Sequence, residues 1–223
     1  MQNKNSNNNI LILGDIFLDI FQTTNVIKIS PERPVPVLKP IGKQLLLGGA
    51  SNVAANIKSI GGDPFLISKL SKDKYSNKII SLLKKKKINH KIFFNKKYAS
   101  SVKKRIVENN HQFLRIDNEK ITNLIRSDEI SIIKYIKKNI KKFETLIISD
   151  YSKGFFSNYL LKNVLKIFHR NKKKIFTDPK KNNVEYYKYS NFICPNQIEF
   201  DEFLKYHNSF QNKKSLLRIF KLS

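Results

Sequence analysis

Four apolar stretches of this chain stop abruptly at a polar side chain. Residues 10–13 run into Gly14-Asp15, residues 145–149 into Asp150, residues 174–177 into Asp178, and residues 192–194 into Pro195-Asn196. Short continuous apolar runs suit buried parallel strands. Open α/β sheets bind their ligands outside the carboxyl ends of such strands. Asp15, with Asp19 shortly after it, could there accept hydrogen bonds from the hydroxyls of a ligand such as a sugar. Taken singly, the two read as a turn aspartate and a helix-cap aspartate. Asp150, Asp178 and Asn196, in consecutive units, point to one shared rim.

A second stretch, Gly48-Gly49-Ala50-Ser51-Asn52, follows an apolar run and opens a helical pattern. Paired glycines let backbone approach a ligand where a Cβ would clash, and the free N–H groups of a helix start favour an anionic or polar guest. The plainer reading is a tight turn into a core helix. Ser51 is the expected cap, and Val53, Ala54, Ile57 and Ile60 the expected buried face. Lys103, Lys104, Arg105 and Arg115 lie on a predicted hairpin, residues 101–107 and 112–116, whose turn carries Asn. Such cations could grip a phosphate or be solvated.

The elements needed to position these groups are legible. Residues 65–68 and 92–94 read as strands, and Ile79, Ile80, Leu82 and Leu83 mark an amphipathic helix followed by a solvated lysine run, 84–87. Further helices are marked by Ile132, Ile133, Ile136 and Ile140, by Leu161, Val164, Leu165 and Phe168, and after Asn196, with Glu199 near its start. Strand and helix alternate, which predicts right-handed crossovers and a parallel sheet. Residues 20–47 break the alternation. Their prolines, Pro31, Pro34, Pro36 and Pro40, forbid a helix and favour extended edge strands in a flap outside the main sheet. Residues 1–9 are a polar tail by composition.

Composition narrows the class. The 223 residues are 40% hydrophobic, enough for one α/β domain. The formal charge of +26 would ordinarily suggest nucleic acid or an anionic membrane. The lysines are spread over nearly every segment, without ordered aromatic and basic stripes, so an A+T-rich coding sequence and a solvated basic surface account for them. A single cysteine, Cys194, excludes an internal disulfide or a cysteine-based zinc cluster, and the four histidines show no metal-ligand spacing. No apolar run reaches membrane-spanning length. The expectation is a cytoplasmic protein with no specific nucleic-acid partner and no membrane insertion.

In order along the chain stand Gly14-Asp15…Asp19, the Ser-Pro-Glu-Arg-Pro-Val-Pro-Val run, Gly-Gly-Ala-Ser-Asn-Val-Ala-Ala-Asn, Ser-Asp-Tyr-Ser-Lys-Gly, Asp-Pro-Lys and Pro-Asn-Gln-Ile-Glu-Phe. This set resembles the ribokinase-like (PfkB) carbohydrate kinases, and most closely their heptose-7-phosphate kinase domains, over about residues 10–205. The resemblance implies a three-layer α/β/α sandwich with a parallel central sheet and a small β lid, at about 20–47 and 98–117, often used for homodimerisation. It implies ATP-dependent phosphorylation, with Mg²⁺, of the anomeric hydroxyl of D-glycero-D-manno-heptose 7-phosphate in lipopolysaccharide core synthesis. Asp19, Gly48, Gly49 and Asn52 would hold the sugar, with Asp15 close by. Asn196 and Glu199 would arrange Mg²⁺ and phosphates. Asp150, Lys153, Asp178 and Lys180 would line the same cleft, and Arg33, Lys103 and Arg105 are candidates for the 7-phosphate.

One departure bears on activity. The family carries its catalytic base in a Gly-Ala-Gly-Asp motif, whose helix start also stabilises charge on the transferring phosphoryl group. No Gly-x-Gly-Asp occurs here; after Gly62 the only glycine is Gly154. The expectation is therefore a fold incomplete at its C-terminus, with residues 207–223 divergent. Most of the ATP pocket is expected to be missing with it, so the expected chain is inactive alone and marginally stable or aggregation-prone: a split or decaying kinase fragment in need of a complementing chain, or a non-catalytic sugar-phosphate-binding or interaction protein.

Overall fold

The computed structural model describes residues 9–109, 111–180, 187 and 189–206. The polar tail, apart from Asn9, and the segment 207–223, expected to be divergent, lie outside the described residues. The first strand, β1 (Asn9–Gly14), leads into two long strands, β2 (Ile16–Ile29) and β3 (Pro36–Gly49), then helix α1 (Ala50–Ser59). There follow β4 (Asp63–Leu70), α2 (Lys74–Lys85), β5 (Asn89–Phe94), a hairpin of β6 (Ser101–Glu108) and β7 (His111–Asn118), and α3 (Arg126–Asn139). The last described elements are β8 (Thr145–Ser149), α4 (Asn158–Arg170), β9 (Lys174–Asp178), β10 (Phe192–Ile193) and α5 (Gln197–Tyr206).

Six strands form one sheet in the order β10-β9-β8-β1-β4-β5, every neighbouring pair parallel. Side chains alternate across a strand, so β1 divides its apolar run between two cores. Leu11 and Leu13 pack with Ile132, Ile136, Leu161 and Phe168 of α3 and α4. Ile12 packs with Ala54, Ile79 and Leu83 of α1 and α2. A strand covered on both faces must be apolar throughout, which is why no alternation shows in its sequence. The result is three layers, as the sequence predicts.

The lid is a second sheet, in the order β3-β2-β6-β7, with β2 and β6 parallel and the outer pairs antiparallel. It starts at Ile16, earlier than residue 20. Pro36 and Pro40 sit on β3, an edge strand, where a missing N–H removes little from the ladder. Helix starts carry side-chain caps: Asp73 accepts from Tyr75 and Ser76 at α2, Ser157 accepts from Leu160 at α4, and Asn196 accepts from Glu199 at α5.

The start of α1 differs from the sequence expectation. Gly49, not a serine, is the N-cap, and no side chain caps the helix. Gly49 takes φ 63°, and a Cβ on it would lie 2.3 Å from the Asp15 carbonyl oxygen. That carbonyl accepts the Ala50 N–H at 2.9 Å, so the helix begins one residue before Ser51. Ser51 is buried inside the helix and its hydroxyl donates to the Gly48 carbonyl at 2.7 Å. The helix also ends sooner than expected. Ile60 is 85% exposed, and the buried face is Ala50, Ser51, Ala54 and Ala55, small side chains that let α1 lie close to the sheets.

Candidate functional site

From β1 the sheet grows outward through β4 and β5 on one side and, from β8, through β9 and β10 on the other. The crevice at the carboxyl ends of β1 and β8 is therefore the topological switch point, where such sheets bind ligands. Asp15 and Asp150 stand there, and both are buried. One Asp15 oxygen accepts the Tyr151 and Lys153 N–H groups and the other accepts that of Phe155, all at 3.1 Å. Its oxygens are thus engaged by the 151–155 backbone, and Asp15 acts as a positioning residue for that loop. Burial, reinforced by the Asp150 charge, raises its pKa from 3.8 to about 6, against the lowering effect of the N–H bonds. Asp150 accepts from the Ser152 N–H at 2.8 Å and from the buried Tyr187 hydroxyl at 3.0 Å.

Two residues that sequence reasoning passed over complete this rim. Lys69, at the end of β4, is buried and donates to the Thr122 carbonyl, to the Thr122 hydroxyl at 3.2 Å and to the Lys153 carbonyl at 3.1 Å. Burial pushes its pKa down from 10.5 to about 8, with the Asp15 charge opposing. Glu119, on the segment after the lid, pairs with Lys153 and, at 3.6 Å, with Lys103. Leu124 N–H donates to Gly154 carbonyl at 3.0 Å. The 119–124 segment is thus stitched to the 151–154 loop. Polar residues directly after the apolar part of β4, the pattern that singled out Asp15, were the available signal for Lys69.

Between the lid and α1 lies an open cleft of about 370 Å³, bordered by Asp19, Phe21, Asn52, Asn56, Lys86 and Arg105 among others. Asp19 and Phe21 share one face of β2, and Arg105 reaches across from β6, the direct neighbour of Phe21 in register. Arg105 forms an ion pair with Asp19 and lies 5.2 Å over the Phe21 ring, so both its charge and its plane are oriented. Gly48 packs close beside the cleft residue Asp19. A Cβ on Gly48 would come within 2.2 Å of the Phe17 ring and 2.8 Å of the Asp19 carboxylate. Lys103 sits 4.8 Å over Phe17 and is tied to Glu119 rather than exposed to the cleft. Arg33 is not brought to the cleft. It is exposed in the turn beyond Ile29, and the span of β2 from Asp19 to Ile29 is roughly 30 Å at the rise of an extended strand.

On the far side of the switch point, Asp178, Lys180, Asn196 and Glu199 come together. The Asn196 side chain accepts the Glu199 N–H at 2.9 Å and the Glu199 carboxylate accepts the Asn196 N–H at 3.0 Å, a reciprocal capping box that starts α5. The other Glu199 oxygen pairs with Lys180, whose ammonium lies 6.0 Å from the centre of the Tyr151 ring. Burial and the Glu199 charge raise the Asp178 pKa to about 6. Crowded carboxylate oxygens of this kind suit a hard divalent cation. Asp178 and Glu199 are the carboxylates here that could hold Mg²⁺ together with water and ligand phosphates; among the described residues no three His, Cys, Asp or Glu side chains converge.

A doubly wound parallel sheet, with a β lid over a cleft beside its switch point, defines a ribokinase-like α/β/α protein. Solved structures bear this out at the level of fold. A carbohydrate kinase from Agrobacterium tumefaciens superposes with TM-score 0.68 at 14% identity, covering 96% of this chain and 68% of that one. The tetrameric inhibited form of phosphofructokinase-2 from Escherichia coli gives 0.66 at 17%, covering 95% and 67%. The chain belongs to the pfkB family of carbohydrate kinases, whose model matches residues 8–221 and so continues past Tyr206. It is similar to the Bifunctional protein HldE of Aliarcobacter butzleri, 34% identical over 195 residues, and of Campylobacter fetus, 31% identical over 215. Those alignments cover 87% and 96% of this chain but 41% and 46% of the relatives, so the chain spans less than half their length. Among the described residues no helix is long and apolar enough to cross a membrane.

Proposed function

We propose that this chain is the sugar- and phosphate-binding part of a heptose-7-phosphate kinase, in the cytoplasm, and that it does not transfer phosphoryl groups unaided. The observation that carries the reading is the convergence of Asp19, Asn52 and Arg105 on one cleft beside the Gly48-Gly49 turn. Asp19 accepts hydrogen bonds from sugar hydroxyls, Asn52 both donates and accepts, and Arg105 supplies positive charge beside them. Asp178, Lys180, Asn196 and Glu199 would hold Mg²⁺ and the phosphates of ATP. When bound, Mg²⁺ neutralises charge on those phosphates.

Phosphorylation of the anomeric hydroxyl also requires a base that accepts the hydroxyl proton. The carboxylates at the switch point are engaged elsewhere, Asp15 by backbone N–H groups and Asp150 by Ser152 and Tyr187. The Gly-x-Gly-Asp segment that supplies the base in the family is not among these residues. A segment carrying that motif, supplied in the same polypeptide or by a complementing chain, would complete the reaction, and a second copy meeting this one through the lid is the expected assembly.

The test is ATP-dependent phosphorylation of D-glycero-D-manno-heptose 7-phosphate by the purified chain, run beside calorimetric binding of the same sugar, with Asp19→Ala as control. Saturable binding lost in Asp19→Ala, without turnover, is the expected result. Turnover abolished by Asp19→Ala would refute the claim of inactivity. Absence of binding would refute the whole reading.

A further inference from the structure

We propose that the cleft continues into an anion subsite closed by Lys86, and that this lysine selects sugars carrying a phosphate remote from the reacting hydroxyl. The inference rests on the phosphosugar reading above and assigns the phosphate end of that ligand. Asn52, Asn56 and Ser59 fall on one stripe of α1 at helical spacing and all three border the cleft. From Asn52 to Ser59 the helix rises roughly 10 Å, about the length of a phosphorylated seven-carbon sugar. Asp19 and the Gly48-Gly49 turn stand at the first end of that stripe, and Lys86 borders the same cleft from the end of α2.

The charge arrangement singles Lys86 out. The cleft lining holds two cations and one carboxylate, and the carboxylate, Asp19, is already paired with Arg105. Lys103 and Lys153 share Glu119, and Lys180 is paired with Glu199. Among the described residues no carboxylate lies within ion-pair distance of the Lys86 ammonium, so its charge is left for a ligand. Lysine suits that role because an ammonium on a flexible stem binds phosphate as a point charge. Backbone geometry distinguishes it from the rest of the lysine run. Lys86 is the C-cap of α2 and Lys87 turns the chain at φ 54°. Lys84 and Lys85, two positions and one position earlier on the helix, do not border the cleft. A run that reads in sequence as uniformly solvated thus contributes one directed charge.

The experiment is calorimetric titration of the full chain with heptose 7-phosphate and with unphosphorylated heptose, and with fructose 6-phosphate and fructose. Wild type, Lys86→Ala and Lys85→Ala are compared by their preference for the phosphorylated member of each pair. Loss of one charge-assisted contact predicts that Lys86→Ala lowers the preference roughly five- to tenfold, while Lys85→Ala leaves it unchanged. Both lysines are exposed, so folding is not at issue. An unchanged preference in Lys86→Ala, or an equal loss in both variants, overturns the proposal. If wild type ignores heptose 7-phosphate yet prefers fructose 6-phosphate to fructose, the heptose reading fails. The Lys86 effect on that second preference then decides the subsite. If wild type prefers no phosphorylated sugar, both fall.

Discussion

Replacing Asp15 by Asn should change how the stability of this protein depends on pH. The folded carboxyl has its pKa raised from 3.8 to about 6. A group raised in the folded state gives stability that is complete below the unfolded pKa and is lost as pH rises through the folded one. The whole displacement corresponds to roughly 3 kcal/mol, of which about 2.5 kcal/mol is lost between about pH 4 and pH 7.5. Asn cannot ionise, so this component vanishes. It brings its own constant cost: one of the two carboxylate oxygens becomes an NH₂ group, and at least one of the three backbone N–H donors from Tyr151, Lys153 and Phe155 loses its acceptor. That costs about 1–3 kcal/mol at any pH. The variant should therefore be clearly less stable than wild type near pH 4 and close to it near pH 7.5. Urea unfolding of both proteins across this range, monitored by circular dichroism, reads the difference. Parallel stability curves would refute the reasoning, because they would mean that Asp15 titrates alike in the folded and unfolded chains.

Lys69→Met should remove a pH effect of the opposite kind. The lysine is lowered to about 8 in the fold, so wild type gains stability as pH rises from about 8 toward the unfolded value, and the variant should show no such gain in thermal melts. Gly49→Ala forces a side chain into left-handed backbone against the Asp15 carbonyl. Strain alone should cost about 1–3 kcal/mol, and an unfolding midpoint equal to wild type would contradict the account of the turn. Asp73→Ala removes the cap that accepts from Tyr75 and Ser76. A loss of about 1 kcal/mol, without change in sugar-phosphate binding, is expected from urea titration and calorimetry.

The strand ends were legible because a strand buried on both faces needs an unbroken apolar run, and whatever follows it is polar. The lid was legible from its prolines. What periodicity cannot carry is the contact between distant segments. Asp19 and Arg105 each stood out in sequence, but their ion pair depends on the β2–β6 register. Arg33 and Lys103 resembled Arg105 as cations on the lid, and only strand length and the Glu119 partner separate them. In a chain with 43 Lys and Arg a single buried lysine is hidden by composition. Lys69 is identified by its surroundings, two carbonyls and a hydroxyl from segments far along the chain. The Ser51 cap failed for a local reason. Gly49, two residues earlier, accepts the backbone angle that the turn needs, so the helix starts before the serine.

The order of the central sheet has a consequence for how the chain acquires its structure. Its middle strand, β1, pairs with β4 on one edge, Ile10 opposite Pro64, but on the other edge Ile10 lies opposite Thr145. Contacts between residues so far apart in sequence close late, because the entropy of a long loop must be overcome before they form. A chain emerging from the ribosome exposes the β8 side of β1 until residues 145–149 have been made. Leu11 and Leu13, whose packing partners lie on α3 and α4, wait with it. The apolar strand at the heart of the finished protein is thus an adhesive surface during synthesis, and one that a chaperone could hold.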